Sequence, residues 1–214
     1  DVAATLGLPT SAEELATLPV VADAWQVIAQ NVEVDDRLRT QRNWLLGRNS
    51  KRIALVLHFA HGTAPLDARL IGGTEVDAEL VFYPGSHARA ALRSPQVESR
   101  PLRDLAGYPD FASALARFTA HLAAFPWLDR LALVINEARI ARQGDHWFLV
   151  DAANQALPLV PREGLLWCMF AVTGGHPAQV VAEWDGRVFR PLSVMVEERF
   201  HPLVESASLP LEAP

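Results

Sequence analysis

The stretch WLLGRNSKRIALVLHF, residues 44–59, decides the fold of this 214-residue chain. It joins two apolar runs through the turn-forming residues GRNS, 47–50, which is typical of a β-hairpin. The second run, residues 53–59, is apolar on both faces, so we expect this strand to lie inside a sheet with a neighbour on each side. An antiparallel sheet is therefore the starting prediction.

The same kinds of pattern extend outward from this hairpin. Residues 24–42 alternate with period two, and a further strand over 76–83 stops at Pro84 and Gly85. Two more hairpins are predicted, 131–140 with 146–150 and 178–183 with 188–196. Helical patterns are few and short: they cover 11–19, 111–124 and 163–172. The sequence thus predicts an α+β protein, mainly antiparallel sheet built from hairpins with a few short helices.

Residues 94–110 are rich in Pro, Arg and Ser and lack periodicity, which favours a boundary or a crossing loop there. One prediction is therefore of two lobes, and a single domain overall fits the same pattern. The predicted parts are an N-terminal β-rich lobe over 1–93, a connecting loop and amphipathic helix over 94–126, a C-terminal β-hairpin lobe with a short helix over 127–205, and a tail over 206–214.

Composition limits the classes of function. Half of the residues are apolar and the formal net charge is −6, which argues against a protein that coats nucleic acid non-specifically. The most apolar run, residues 164–174, is about half as long as the ~20 residues that span a bilayer, so we expect no membrane insertion. With Cys168 as its single cysteine, the chain holds neither an internal disulfide nor a thiolate zinc knuckle. A reducing, cytoplasmic location is the prediction.

A basic stretch is the sharpest candidate for an interaction surface. Within the 16 residues 37–52 there is no acidic residue, and a tryptophan lies among the basic residues. Guanidinium groups pair with phosphate and an indole stacks on bases, so the pattern suits nucleic acid or a phosphoprotein. The alternative is an ordinary solvated strand face. The candidate surface comprises Arg37, Arg39, Arg42, Trp44, Arg48, Lys51 and Arg52.

Candidates for chemistry are weaker. His58 and His61 have an H-x-x-H spacing near Asp67, but positions three apart on a strand face opposite ways, so no metal site is expected. Glu183 and Asp185 flank a tryptophan, and an Asp-Gly turn explains the second of them. Because no catalytic motif is assembled, we favour a non-enzymatic protein. The alternative is an uncharacterised enzyme, most plausibly a hydrolase, whose site is built from distant loops.

The sequence resembles the C-terminal region of bacterial SWIM zinc-finger family proteins. A tryptophan at position 25 and the following segment match the family pattern W…DRLxxRRxWLxGR, and shorter blocks match in the same order. The matching blocks are DRLRTQRNWLLGR (36–48), IALVLHFA (53–60), LIGGTEVDAEL (70–80), FYPG (82–85), WFLVD (147–151), LPL (157–159), EWDG (183–186) and RPLS (190–193).

This resemblance implies an accessory region of a larger protein. The family's zinc motif, CxCxnCxH, is absent from this chain, so zinc is expected only in an upstream SWIM motif and no cofactor is expected here. The resemblance also suggests a multi-protein assembly with a MoxR-type ATPase and a von Willebrand A protein. The function it implies is interaction, with protein or with nucleic acid.

Overall fold

The computed structural model describes residues 12–86, 88–94 and 98–204. It confirms a mixed α+β protein that is rich in antiparallel sheet. Internal contacts divide the chain into two compact units: Asp1–Ala106 with Leu115–Asp129, and Gly107–Ala114 with Arg130–Pro214. The segment predicted as a connection, 94–126, is thus shared between the units. The predicted tail lies outside the described residues.

Among the described residues up to 101, the first unit contains a six-residue helix followed by strands. Its elements are α1 (Ala12–Thr17), β1 (Val20–Asp35), β2 (Leu38–Gly47), β3 (Ile53–His61), β4 (Thr74–Phe82), β5 (Arg89–Leu92) and β6 (Ser99–Pro101).

These strands close into a barrel. The strand order is β1-β2-β3-β5-β4, and β4 pairs again with β1. The first half of the long strand β1 pairs with β4 and its second half pairs with β2. The β3–β5 pair is parallel, whereas the other pairs are antiparallel. This is the strand order of the OB-fold, a five-stranded Greek-key barrel.

Large apolar side chains fill the barrel. Trp25, Leu45 and Leu80 are fully buried within one cluster that also contains the β3 residues Ala54 and Val56. The pairing of β1 with β2 shifts register between positions 27 and 29, so a β-bulge bends β1 where it changes partners. Bending of this kind lets one strand serve two sides of a closed sheet.

A loop of the first unit, residues 62–73, is attached to the barrel by side-chain amides. Gln30 Nε2 donates to the Leu70 carbonyl at 2.6 Å, and Gln41 Nε2 donates to the Asp67 carbonyl at 3.0 Å. These bonds satisfy buried polar groups of β1 and β2.

The second unit is an open antiparallel sheet with a helix packed on β7 and β11. Its strand order is β12-β11-β10-β7-β8-β9. Helix α2 is divided between the units after residue 114. The elements are α2 (Phe111–Ala124), β7 (Leu131–Gln143), β8 (His146–Val150), β9 (Ala156–Pro158), α3 (Glu163–Thr173), β10 (Ala178–Trp184), β11 (Phe189–Val196) and β12 (Arg199–Pro202).

The start of helix α2 is well capped. The Phe111 N–H donates to Asp151 Oδ2 at 2.8 Å, and the Ser113 N–H donates to Asp110 Oδ1 at 2.8 Å. Asp110 is therefore the N-cap, and the buried Asp151 satisfies a further free N–H of the first turn. The Phe111 ring stacks on Phe189 at 5.4 Å.

Among the described residues, no helix is long and apolar enough to cross a membrane.

Candidate nucleic-acid interface

The basic stretch predicted from the sequence is divided between the two ends of β2. Arg37 lies in the turn before this strand, whereas Arg48, Lys51 and Arg52 follow its end at Gly47. A strand rises about 3.3 Å per residue, so ten residues separate the two groups by about 30 Å. The seven candidate residues therefore do not form one surface.

The members on the strand itself are engaged or buried. Arg39 Nη2 donates to the Ala64 carbonyl. Arg42 points to the opposite face of β2, where its Nε lies 3.9 Å from Glu33 Oε1. The Trp44 side chain is 1% exposed, so it does not offer a ring for stacking.

Arg48 is committed to two carboxylates of its own unit. Its Nε donates to Glu75 Oε2 at 2.6 Å, and its two Nη atoms donate to Asp104 at 2.8 and 2.7 Å. Glu75 is buried and is bound on its other side by Arg100, whose Nη2 lies 2.6 Å from Glu75 Oε1. Arg100 also reaches Asp77 at 2.7 Å. These hydrogen bonds raise the pKa of both guanidinium groups and lower the pKa of Asp77 and Asp104. We call this network the Glu75 clamp.

The remaining basic residues of the predicted stretch, Lys51 and Arg52, are not members of the Glu75 clamp. The Arg52 guanidinium carbon lies 3.7 Å from the centre of the Phe82 ring, and the Arg89 guanidinium carbon lies 4.8 Å from the centre of the Tyr83 ring. The three basic side chains are exposed and the two rings are half-buried. We call Lys51, Arg52, Phe82, Tyr83 and Arg89 the turn surface, because they lie in the β2–β3 and β4–β5 turns or at the strand ends beside them.

The parallel pair β3–β5 brings these two turns together. Leu55 is the register partner of Arg89, and its N–H donates to the Ala88 carbonyl at 2.7 Å. Phe82, at the end of β4, pairs with Ala90 of β5. Residues thirty to forty positions apart in the sequence therefore share one end of the barrel.

The β2–β3 turn is fixed by a buried carboxylate. Asp23 accepts hydrogen bonds from the N–H groups of Asn49 and Ser50 at 3.1 and 2.8 Å, and from Asn49 Nδ2 at 2.8 Å. Burial raises the pKa of Asp23, but these bonds outweigh it and hold the pKa below its usual value. Lys51 adopts a left-handed conformation with φ of 55°, and its N–H donates to the Gly47 carbonyl at 3.0 Å. The turn thus presents Lys51 and Arg52 on an ordered backbone.

Hydrogen bonds join the two sides of the β4–β5 turn. The Tyr83 N–H donates to the Arg89 carbonyl at 3.0 Å, and the Arg89 N–H donates to Ser86 Oγ at 3.1 Å. Gly85 has φ of 71°, a conformation that glycine adopts without strain. Tyr83 and Arg89 are therefore held beside each other.

The turn surface takes its exposed charged side chains from segments that contain basic but no acidic residues. No acidic residue occurs in the sequence over 37–66 or over 80–97, the segments that contribute the two turns. Asp104 is the carboxylate that interacts with Lys51, and it is already bound by Arg48 on two oxygens. The candidate surface predicted from the sequence did not include Phe82, Tyr83 and Arg89. The feature that could have indicated them is the acid-free run beside the FYPG turn.

The other sequence candidates have structural partners. His58 Nδ1 accepts a hydrogen bond from the Asp67 N–H at 3.3 Å, and the hydrogen bond from Arg69 lowers the pKa of Asp67. Within the described ranges, no group of three or more His, Cys, Asp or Glu could hold a metal ion. Glu183 is buried with Arg130 Nη1 3.2 Å away, and Asp185 accepts two main-chain hydrogen bonds in its turn.

Comparison with known proteins adds no assignment: no family model matches the chain, and no curated protein matches it.

Proposed function

We propose that this chain is a non-enzymatic interaction region of a larger SWIM zinc-finger-type protein, and that its first unit binds single-stranded nucleic acid at the turn surface. The observation that carries the proposal is the pair of guanidinium groups held over aromatic rings, Arg52 on Phe82 and Arg89 on Tyr83. A third cation, Lys51, lies next to them in sequence.

The chemistry of these groups suits an unpaired strand. A guanidinium stacked on a ring keeps its N–H edge available for phosphate oxygens, and its outer plane offers a base a surface to stack on. Both turns are held by hydrogen bonds, so little conformational freedom is lost on binding. Sequence-independent stacking together with phosphate pairing is the usual mode of single-strand binding.

The barrel gives independent support. OB-fold barrels bind oligonucleotides on strands 2 and 3 and on the loops joining strands 1–2 and 4–5. Tyr83 lies in the β4–β5 connection of this barrel, and Phe82 and Arg89 are the strand residues at its two ends. Because a fold alone does not assign a function, the proposal rests on the side chains of the turn surface.

The test is titration of fluorescently labelled single-stranded oligonucleotides, followed by polarisation at two salt concentrations. With about three phosphate contacts, affinity is expected to fall about 18-fold between about 50 and 200 mM salt. The triple variant Lys51→Ala, Arg52→Ala, Arg89→Ala is expected to bind at least tenfold more weakly and to lose most of the salt dependence. Matched duplexes are expected to bind more weakly than single strands.

A control removes the same charge elsewhere. Arg103, Arg117 and Arg187 are exposed and lie outside the turn surface, so their triple alanine variant is expected to bind as the unmodified chain does. Equal losses of affinity in both triple variants would show that binding depends on net charge alone. That result would refute a specific binding surface. Absence of salt-sensitive binding by the unmodified chain would refute the proposal as a whole.

The setting of this activity is also proposed. The family resemblance suggests a zinc-bearing SWIM motif elsewhere in the protein and an assembly with a MoxR-type ATPase and a von Willebrand A protein, in the cytoplasm. We further propose that the two compact units act as separate lobes, the first for nucleic acid and the second for protein contacts.

A further inference from the structure

The outer row of side chains on strand β3 becomes more exposed toward the end of the strand. Ala54 and Val56 belong to the buried core of the barrel, so Leu55, Leu57 and Phe59 lie on its outer face. Leu55 and Leu57 are half-buried, whereas Phe59 is 51% exposed. The barrel therefore presents a large aromatic ring on the outside of β3.

The pairing of β3 with β5 places Phe59 on the same face as Arg89. Leu55 is the register partner of Arg89, so the two side chains lie on one side of the sheet. The next residue of β5, Ala90, is in the buried core, which confirms that Arg89 is on the outer side. Phe59 follows Leu55 by four residues on this side, or about 13 Å at about 3.3 Å per residue. The outer row of β3 thus leads from the turn surface, which contains Arg89, to Phe59.

The charges around Phe59 suit a negatively charged ligand. Its register partner on β2 is Thr40, whose own partner on β1 is Glu33. Glu33 is thus two strands away from Phe59, about 10 Å at about 4.8 Å per strand, and its Oε1 lies 3.9 Å from Arg42 Nε. The sequence over 37–66 contains no acidic residue. Strands β2 and β3 therefore place no carboxylate beside the ring.

We infer that the single strand bound at the turn surface continues along the outer face of β3 and stacks a base on Phe59. This inference rests on the proposed function. An exposed phenyl ring accepts any base, and such stacking is part of sequence-independent single-strand binding. The distance from Leu55 to Phe59 equals about four nucleotides at the duplex spacing of about 3.4 Å, and fewer for an extended strand. One short oligonucleotide therefore reaches both Arg89 and Phe59.

The two parts of this path act through different forces. Lys51, Arg52 and Arg89 neutralise phosphates, so their contribution to affinity falls as the salt concentration rises. Phe59 contributes by stacking, which involves the base and not the phosphate. Removing the ring should therefore lower the affinity without changing its salt dependence.

Titration of the full 214-residue chain with a labelled oligothymidylate of about 12 nucleotides tests the path. Phe59→Ala is expected to weaken binding at least fivefold, by the same factor at about 50 and at about 200 mM salt. Phe59→Tyr retains the ring and should bind as the unmodified chain does. Phe59→Leu keeps an apolar side chain on the strand but has no ring, so it should show most of the loss.

Two controls separate stacking from other causes. An oligomer of the same length made of abasic sites supplies the phosphates without the bases, and it should bind the unmodified chain and Phe59→Ala equally. Trp127 is 81% exposed and belongs to the first unit but lies outside its strands. Trp127→Ala should therefore bind oligothymidylate as the unmodified chain does.

The outcomes distinguish this path from the turn surface itself. If Phe59→Ala and Phe59→Leu fold normally by circular dichroism and bind oligothymidylate with unchanged affinity, the path is overturned, while the salt-sensitive binding of the unmodified chain still supports the turn surface. A loss that persists with the abasic oligomer, or that Trp127→Ala shares, overturns the path as well. Absence of salt-sensitive binding by the unmodified chain overturns both proposals.

Discussion

The two units place their polar and apolar groups differently. In the first unit, the pairing of β4 with β1 completes the circuit of strands, and a buried carboxylate, Glu75, lies at the centre of an ion network. In the second unit, the sheet stays open, with the short strands β9 and β12 at its edges, and aromatic side chains reach the surface of α3. Short edge strands limit unwanted pairing, so the exposed helix face is the more prominent contact surface of this unit.

This difference separates two kinds of interaction. Lys51, Arg52 and Arg89 are not part of the Glu75 clamp and lie at the turn surface of the first unit. This surface suits a negatively charged ligand. The second unit offers Trp167 and Phe170, which suit an apolar one. Net charge, −6 for the whole chain, describes neither surface.

The largest expected effect comes from removing the centre of the clamp. Glu75→Ala leaves Arg48 and Arg100 without their shared partner, and we expect it to lower the free energy of unfolding by about 2 kcal/mol, because charge-assisted hydrogen bonds from two partly exposed arginines are lost together. Guanidinium denaturation with segment-resolved hydrogen exchange measures it. Faster exchange is expected in β1, β4 and β6, with β7, β10 and β11 unchanged.

Glu98, which is exposed and directly precedes β6, provides the control. Glu98→Ala should change the free energy of unfolding by less than about 0.5 kcal/mol. Equal acceleration of exchange in both units after Glu75→Ala would refute the proposal that they act as separate lobes.

Acid is expected to affect the first unit before the second. Asp67, Asp77 and Asp104 have a pKa lowered by arginine hydrogen bonds, and Asp23 has a pKa lowered by its turn; all four belong to the first unit. A carboxylate whose pKa is lower when folded contributes stability that is present above its ordinary value, 3.8, and is lost as the pH falls below it. In the second unit the corresponding residue is Asp110.

Pulsed hydrogen exchange between about pH 7 and pH 3 checks this order. Protection should fall first in β1–β4, in the window below about pH 4. Loss of β7–β11 protection at a higher pH than β1–β4 would contradict the assignment of acid sensitivity to the barrel.

The smallest expected effect is at the helix cap of the second unit. Asp110→Ala removes the acceptor for the Ser113 N–H and should cost about 1 kcal/mol. Thermal unfolding measures it. Asp110→Ser retains a capping oxygen and should recover most of the loss, whereas equal destabilisation by both variants would show that the cap is not the cause.

Local patterns predicted the hairpins well, because their turns and alternation lie within one stretch of chain. The helix over Phe111–Ala124 was found with both its ends, and α3 was found with its start at Glu163 and an end one residue short of Thr173. Barrel closure was not predicted. It depends on β1 pairing with β4 and on β3 pairing in parallel with β5, contacts that no local pattern encodes.

The candidate site was predicted in part for the same reason. Lys51 and Arg52 were named from the basic stretch, but the aromatic partner of Arg52, Phe82, comes from a strand end thirty residues later. Arg48 and Arg39 were placed on the same candidate surface, although the fold uses one in the Glu75 clamp and the other to hold a loop. A run of basic residues in the sequence shows where positive charge is available. The tertiary contacts of the fold decide which of these side chains remain exposed.

The central claim is tested most directly by hydrogen exchange with and without a saturating single-stranded oligonucleotide. Protection is predicted in the two turns of the turn surface, residues 47–55 and 82–90, with no change in the β1–β2 turn around Arg37. Protection around Arg37 without protection of these two turns, or no protection in any segment, would contradict it.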